Sequence, residues 1–407
     1  MIFDFFKLAF SSIMHRKMRA WLTMIGIFIG IAAVVSLISL GDGMRQAINV
    51  QFEKMGSDKI MVFPGGDGGA GMKNMMTSVA KLTEDDLKII RKQSGVDLAG
   101  GMIFKTVAVK YKDKTKYSQV SGIPTDDTQD IFEDMETYEM LKGHKLKAGN
   151  DKYVILGYDI AYTDYFDKRP KLRDKIYIMD KPFIVSGIFE KIGNHQDDSM
   201  FVITYDAANE LFGTKDEYSV ILVKVKPNIK PADLAQTLKK KLRRARREKE
   251  GEESFQVQTT EQLLNKVNSI LGVVNAVLIA IASIALLVGG IGIMNTMYTS
   301  ILERTKDIGI MKAIGAKDSQ ILSIFLFEAG LYGFIGGAIG VFFGYSISKL
   351  AEYITVVVLG QDLLVVEFDA FLIIGSLAFS TILGIISGIL PARQAANMEP
   401  VEALRYE

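Results

Sequence analysis

The fold is decided by a 36-residue stretch without Asp, Glu, Lys or Arg, VNSILGVVNAVLIAIASIALLVGGIGIMNTMYTSIL (267–302). At about 1.5 Å of rise per helical residue the stretch reaches roughly 54 Å, whereas the hydrocarbon core of a bilayer is about 30 Å thick. We therefore expect a membrane-spanning helix with a surplus that projects outward. This surplus forms a stalk that enters an external domain near residues 261–266.

Three further stretches are long and apolar enough to span a bilayer. They are residues 20–41, residues 319–348, which Glu328 interrupts, and residues 370–392. The 407-residue chain carries 48 basic and 47 acidic side chains, so its charge excludes a polybasic nucleic-acid binder, and no nucleic-acid partner is expected. The absence of cysteine excludes disulfides and thiolate chemistry.

Lysine and arginine near the span ends predict the orientation, because cytoplasmic loops carry an excess of both. In residues 349–369, Lys349 is the only lysine or arginine. In contrast, several basic residues precede the first span or lie between the second and third. They are Lys7, Arg16, Lys17, Arg19, Arg304, Lys306, Lys312 and Lys317. We expect a multi-pass protein of the cell membrane with residues 1–19, 303–318 and 393–407 in the cytoplasm and residues 42–266 and 349–369 outside. The first span reads as an uncleaved anchor.

Residues 42–266 predict a large α+β extracytoplasmic domain between the first two transmembrane helices. We expect a porter-like part, residues 42–125 and 214–266, interrupted by a β-rich insertion, residues 126–213. Thr83 and Asp86 are placed to form a capping box at the start of a helix. A second helix, from Pro231 to about Lys249, carries Leu234, Leu238 and Leu242 on one face.

Motifs for catalysis or cofactors are weak. The glycine-rich residues 66–74 lack the Gly-Lys-Ser/Thr of a phosphate-binding loop, so a flexible loop is favoured over a nucleotide site. His195, near Asp197 and Asp198, allows a cation site, although a solvated turn is the favoured interpretation. The basic residues 239–249 allow contact with anionic lipid, but a helix face neutralised by its neighbours is favoured. We expect no catalytic residue, metal ion or cofactor in this chain.

The segment ERTKDIGIMKAIGA (303–316) is the most informative motif. Apolar Ile308, Met311 and Ile314 alternate with charged residues, which predicts a short amphipathic helix at the cytoplasmic surface. Joined to two spans, such a helix would transmit a push from a cytoplasmic partner to both. The alternative is an inert interfacial loop. Glu328 has two interpretations, a structural interhelical contact and a role in transmission.

Small residues recur along the spans at the spacing of helix contacts, which predicts a packed bundle. The residues assigned to transmembrane packing or transmission are Gly26, Gly30, Gly289, Gly290, Asn295, Glu328, Gly336 and Gly340.

Several of these stretches together resemble the MacB-like permeases of ABC transporters, within the family that includes FtsX and the lipoprotein-releasing permeases. The stretches are LVGGIGIMNT (287–296), ERTKDIGIMKAIGA (303–316), FLFEA (325–329), RAWLTMIGIFIG (19–30), Gly56-Ser57 and PARQAANMEPVEALR (391–405). The resemblance covers nearly the whole chain.

The resemblance implies a homodimeric permease that works with two separate ATPase subunits, which bind ATP and magnesium. Only 19 residues precede the first span, so we expect the ATPase to be another chain. The resemblance assigns contact with the ATPase to Glu303, Arg304, Asp307, Ile308, Gly309, Met311, Lys312, Ile314 and Gly315. Gly309 and Gly315 would keep the backbone close to the partner. Relatives usually have a Gly-Lys or Gly-Asp turn near residues 171–175, where this chain has Arg173.

Two functions follow from the resemblance. The first is export of peptides, antibiotics or other amphipathic molecules, driven by movement of the external domain. The alternative is an FtsX-like regulator that transmits ATP-driven motion to an extracytoplasmic enzyme without transport. An extracytoplasmic adaptor or enzyme is a further expected partner.

Overall fold

The computed structural model describes residues 17–65, 80–133, 138–214, 216–358, 364–367 and 369–405. The helices are α1 Lys17–Met55, α2 Glu84–Arg91, α3 Asp130–Glu133, α4 Tyr158–Tyr162, α5 His195–Asp198, α6 Tyr205–Phe212, α7 Pro231–Arg246, α8 Thr260–Glu303, α9 Thr305–Ala313, α10 Asp318–Tyr353, α11 Ala370–Ala396 and α12 Pro400–Arg405. The strands are β1 Lys59–Pro64, β2 Leu82–Thr83, β3 Val96–Tyr111, β4 Lys114–Ile123, β5 Met140–Gly143, β6 Tyr153–Leu156, β7 Lys175–Ile178, β8 Lys181–Phe189, β9 Phe201–Thr204, β10 Glu217–Tyr218, β11 Val220–Val225 and β12 Phe255–Thr259.

The chain divides into two compact units. One contains the residues up to Arg45, Ser269–Leu359 and the residues from Leu364 onward, and the other consists chiefly of Gln46–Asn268. Four helices of the described chain are long and apolar enough to cross a membrane: Ile25–Met55, Thr260–Glu303, Asp318–Val357 and Ala370–Ala396. The predicted fold class, four transmembrane helices and a large α+β domain between the first two, is confirmed.

The first two spans belong to helices that are longer than the apolar stretches. Helix α1 continues past Gly41 to Met55 and ends before Gly56, whose φ of +85° suits a residue without a Cβ. Helix α8 begins at Thr260, where a capping box sets its start. Thr259 N–H donates to Gln262 Oε1 at 3.1 Å, and Gln262 N–H donates to Thr259 Oγ1 at 3.1 Å. Its 44 residues would reach roughly 66 Å.

A ten-stranded sheet forms the centre of the second unit, in the order β12-β1-β11-β3-β4-β9-β6-β8-β5, with β7 pairing with β3 and β8. Strand β3 has 16 residues and belongs to both halves of this sheet. Residues 96–102 of β3 pair with β11, and residues 103–111 pair with β4. Strand β9, which lies within the predicted insertion, pairs in parallel with β4. The insertion therefore joins the sheet of the porter-like part through β4 and the long strand β3.

Helices α2 and α7 pack against the half-sheet that contains β1 and β11. Leu234, Leu238 and Leu242 are all buried in the core that they form with Ile60 and Val223, so the shared face predicted for this helix is confirmed. The predicted capping box at the start of α2 is present too, because Thr83 N–H donates to Asp86 Oδ2 at 2.8 Å.

The turn at residues 171–174 contains Arg173 in the left-handed conformation, with a φ of +71°. Its N–H donates to Val185 O at 2.9 Å, while Lys171 N–H and Tyr111 Oη donate to Asp174 Oδ2 at 2.9 and 2.7 Å. Burial and this hydrogen bond raise the pKa of Tyr111 to about 12. The turn thus has a geometry that favours glycine, and hydrogen bonds hold the arginine in it.

We expect Arg173→Gly to raise the free energy of unfolding by about 0.5–1 kcal/mol, because glycine adopts positive φ without a Cβ clash. Chemical denaturation of the detergent-solubilised chain measures this. The neighbouring Leu172→Gly is the control. It should lower the free energy of unfolding, because Leu172 does not have positive φ. Glycine at this position relieves no strain and only increases the conformational entropy of the unfolded chain. Equal destabilisation by both variants would contradict strain at Arg173.

Candidate coupling site

Helix α9 is set off from its two neighbouring spans by short, well-defined breaks. Arg304 alone separates it from α8, and Thr305 Oγ1 donates back to Leu302 O at 2.9 Å. At the other end, Gly315 has a φ of +100°, its N–H donates to Lys312 O at 3.0 Å, and Ala316 N–H donates to Met311 O at 3.0 Å. This pair of bonds is a Schellman motif. Gly315 therefore has a role within the chain, because it ends the helix.

The faces of α9 differ from the predicted amphipathic pattern. Ile308 is fully buried in the core of the helical bundle, Gly309 is buried, and Met311 packs partly buried on the same core. Ile314, by contrast, lies beyond the helix end and is 81% exposed. Of the three residues in the expected apolar stripe, Ile308 and Met311 thus contact the chain's own helices, whereas Ile314 faces outward. The exposed residues of the segment are Glu303, Lys306, Asp307, Ile310, Ala313, Ile314 and Gly315.

An ion pair joins the start of α9 to α10. Arg304 Nη1 lies 3.4 Å from Glu328 Oε2, and the side chain of Glu328 is only 1% exposed whereas that of Arg304 is 25% exposed. A carboxylate inside an apolar bundle is costly unless a cation faces it. The sequence allowed two roles for Glu328, a structural interhelical contact and transmission. In the structure, Glu328 contacts Arg304.

Lys312 lies at the opposite end of α9, where its side chain is 10% exposed. Its Nζ donates to Ala396 O at 2.5 Å and to Met398 O at 2.8 Å, and it lies 2.8 Å from Asp318 Oδ1. The ammonium group is therefore engaged by groups of its own chain.

Close backbone contacts hold the membrane helices together. A Cβ on Gly26 would lie 2.8 Å from Gly289 Cα, and one on Gly289 would lie 2.8 Å from Ile27 N, so α1 and α8 meet at this glycine pair. At Gly340 of α10, a Cβ would lie 2.8 Å from Phe28 O of α1. Such an approach leaves no room for a side chain.

The remaining predicted packing residues have separate surroundings. A Cβ on Gly30 would lie 2.7 Å from the side chain of Leu286, and one on Gly290 would lie 2.8 Å from Ser387 Oγ. Gly336 is buried, whereas Asn295 is exposed on α8. The structure thus joins Gly26, Gly30 and Gly289 at one α1–α8 contact and leaves Asn295 on the outer surface of the isolated chain.

Serine hydroxyls add interhelical hydrogen bonds that were not identified from the sequence. Ser36 Oγ of α1 donates to Gly344 O of α10 at 2.8 Å, and Ser348 Oγ of α10 donates to Ser36 O of α1 at 3.5 Å. Ser36 follows Ala32 at the same four-residue spacing that separates Gly26 from Gly30, which is the signal that could have indicated it.

The weaker motifs of the second unit take part in local structure. His195 Nδ1 lies 2.7 Å from Asp159 Oδ2, and Asp198 accepts the N–H groups of Ile192 and Gly193 at 2.8 and 2.9 Å. Burial, together with the neighbouring Asp198, raises the pKa of Asp197. Across the described ranges, no cluster of three or more His, Asp or Glu could hold a metal ion.

On the basic helix α7, acidic neighbours neutralise part of the charge. Arg243 lies 3.1 Å from the buried Glu253, and Arg246 lies 2.5 Å from Asp86. The glycine-rich residues 66–74 lie outside the described residues.

We expect Glu328→Met to lower the free energy of unfolding by about 3 kcal/mol, because it leaves the half-buried Arg304 without this carboxylate. Arg304→Met should be similarly destabilising, whereas the double variant Arg304→Met/Glu328→Met should recover most of the loss. Denaturation in mixed micelles measures the cycle, with the exposed Asp307→Ala as control. Strictly additive effects of the two substitutions would show that the pair does not interact.

Comparisons with known proteins identify the family of the chain. Residues 20–241 match the family model of the MacB-like periplasmic core domain, and residues 279–400 match that of the FtsX-like permease C-terminal region. The chain is 37% identical to an uncharacterized ABC transporter permease of Methanocaldococcus jannaschii, over 99% of this chain and 98% of the relative. It is 32% identical to the macrolide export ATP-binding/permease protein MacB of Neisseria gonorrhoeae, over 99% of this chain and 61% of that protein.

Among solved structures, the periplasmic region of MacB from Actinobacillus actinomycetemcomitans matches 54% of this chain and 97% of its own length, with 15% identity and a TM-score of 0.44. The two family models and the full-length archaeal relative together cover both units of this chain. The chain belongs to the MacB/FtsX-type permeases of ABC transporters.

Proposed function

We propose that this permease couples ATP hydrolysis by a separate cytoplasmic ATPase to movement of its extracytoplasmic domain, and that it exports peptides, antibiotics or other amphipathic molecules. The observation that carries the proposal is the attachment of α9. This helix is joined to α8 through one residue and to α10 through Arg304 and Glu328, so a force on α9 acts on both spans. We place α9 and both termini in the cytoplasm on the basis of the lysine and arginine bias.

The ATPase would contact the outward side of the segment, which includes Asp307, Ile310 and Ile314. Ile310 is 47% exposed and Ile314 is 81% exposed, and large apolar side chains at such exposure are suited to a partner's pocket. Ile308 and Met311 would support this contact indirectly, because they pack on the bundle and fix α9 to it. ATP and magnesium would be bound by the partner.

The name of the gonococcal relative describes macrolide export, which supports an amphipathic small molecule as one substrate class. The FtsX-like alternative, control of an extracytoplasmic enzyme, draws support from the length of α8. A continuous helix of 44 residues suits mechanical transmission in either function. The two differ in what stimulates the ATPase, which is the exported molecule in one case and the extracytoplasmic partner in the other.

A homodimer through α8 is supported by the pattern of exposure along this helix. At 100° per residue, Ile284, Ile291 and Asn295 fall on one face, directly opposite the buried Leu286 and Ile293. A polar amide on the outer face of a membrane span is stabilised when another helix supplies its hydrogen-bond partner. We therefore propose that this face meets α8 of a second copy.

Docking is tested with Ile310→Asp/Ile314→Asp. We expect at least a tenfold loss of copurification with a soluble Walker-motif ATPase, because two charges replace exposed apolar contacts. Ile229→Asp, at an exposed isoleucine of the second unit, is the matched control and should copurify normally. Undiminished copurification of the double variant would exclude this surface as the ATPase contact.

The dimer is tested by single-cysteine cross-linking, which the cysteine-free chain allows directly. Ile284→Cys and Ile291→Cys should form disulfide-linked dimers in membranes upon mild oxidation. Ile279→Cys, exposed but turned by more than 100° from this face, should remain monomeric on the gel. Equal cross-linking at all three positions would indicate random collision.

A further inference from the structure

The ammonium group of Lys312 connects three elements that are separate along the chain. Lys312 belongs to α9, Asp318 is the first residue of α10, and Ala396 is the last residue of α11. Met398, whose carbonyl is the third partner, lies between α11 and α12. All three distances are 2.5–2.8 Å, so the three hydrogens of the ammonium group are matched by three acceptors.

The position of this lysine suits its charge. The last carbonyls of a helix have no partner within the helix and carry partial negative charge, and a cation placed there stabilises the helix end. Lys312 supplies this cation to α11 from a different helix. With its side chain 10% exposed, the contact is largely shielded from water, which strengthens it.

We propose that Lys312 is a positioning residue that makes α11, the fourth membrane helix, follow the movement of α9. This inference rests on the proposed function, in which α9 receives the ATPase. Helices α8 and α10 are joined to α9 through short chain connections, but α11 is separated from it by the whole length of α10. Through Lys312, α9 forms hydrogen bonds directly with the cytoplasmic end of α11. The residue therefore acts within the permease and not in the ATPase contact that the sequence predicted for it.

The test uses the full-length permease with its ATPase in nanodiscs and compares Lys312→Met with Lys317→Met, a control at an exposed lysine that lies outside residues 303–316. We expect both variants to bind the ATPase like the wild type. Stimulation of ATP hydrolysis by a macrolide, the probe used here, should fall roughly tenfold in Lys312→Met only, within the usual range of coupling between sites. Lys312→Arg, which keeps charge and donors, should recover part of the stimulation.

A second measurement separates positioning from simple stabilisation. Spin labels at Ala313 and Gln394, both exposed, report the distance between α9 and the end of α11. In the wild type this distance should stay the same when a non-hydrolysable ATP analogue is added, whereas in Lys312→Met it should change or broaden.

The outcomes distinguish the two proposals. A wild-type chain that binds no ATPase would overturn the proposed function. A wild type that binds it, with Lys312→Met unchanged in stimulation, would overturn the role of Lys312 alone. If Lys312→Met fails to fold, the wild-type distance still decides, because a shift upon addition of the analogue would show that α11 does not follow α9.

Discussion

Close backbone contact between membrane helices is the constraint on which the first unit depends. In hydrocarbon there is little hydrophobic gain from bringing helices together, so association relies on packing and on interhelical hydrogen bonds. Gly26 and Gly289 allow α1 and α8 to approach until their backbones touch, and Gly340 and Gly344 do the same for α10 against α1. Ser36 then hydrogen-bonds across the second of these contacts. The glycines thus fix which helices are neighbours, and the polar contacts fix their register.

On this bundle, α9 is held from beneath by apolar contacts and at its two ends by charge. Ile308 inserts into the core, Arg304 pairs with Glu328, and Lys312 holds the end of α11. Charged residues in the segment therefore have two different tasks. Those that face the bundle connect helices, and those that face outward, such as Asp307, belong to the surface that we propose for the ATPase.

The sequence predicted the four spans, the α+β domain and the capped helices, because these follow from local periodicity and capping chemistry. It expected the helix of the second span to enter the external domain near residues 261–266, close to the observed start of α8 at Thr260, but it did not use the capping box from Thr259 to Gln262. The resemblance assigned Ile308 to the ATPase contact, whereas it is buried in the chain's own bundle, because periodicity shows that a face is apolar but not what covers it. The partners of Lys312 were beyond prediction, since main-chain carbonyls carry no residue identity and only the tertiary fold brings Ala396 and Met398 to the lysine.

The shared strand β3 determines how the two halves of the extracytoplasmic domain respond to unfolding. Its first seven residues hydrogen-bond with one half of the sheet and the next nine with the other half, so neither half can slip by one residue without reversing the inward and outward side chains of both. Ile103 and Val109 serve one core while Val96 and Ala99 serve another. The two halves also share a buried core, to which Met61 and Leu222 of one half and Ile155 and Val202 of the other contribute. The two halves should therefore melt together in one cooperative transition.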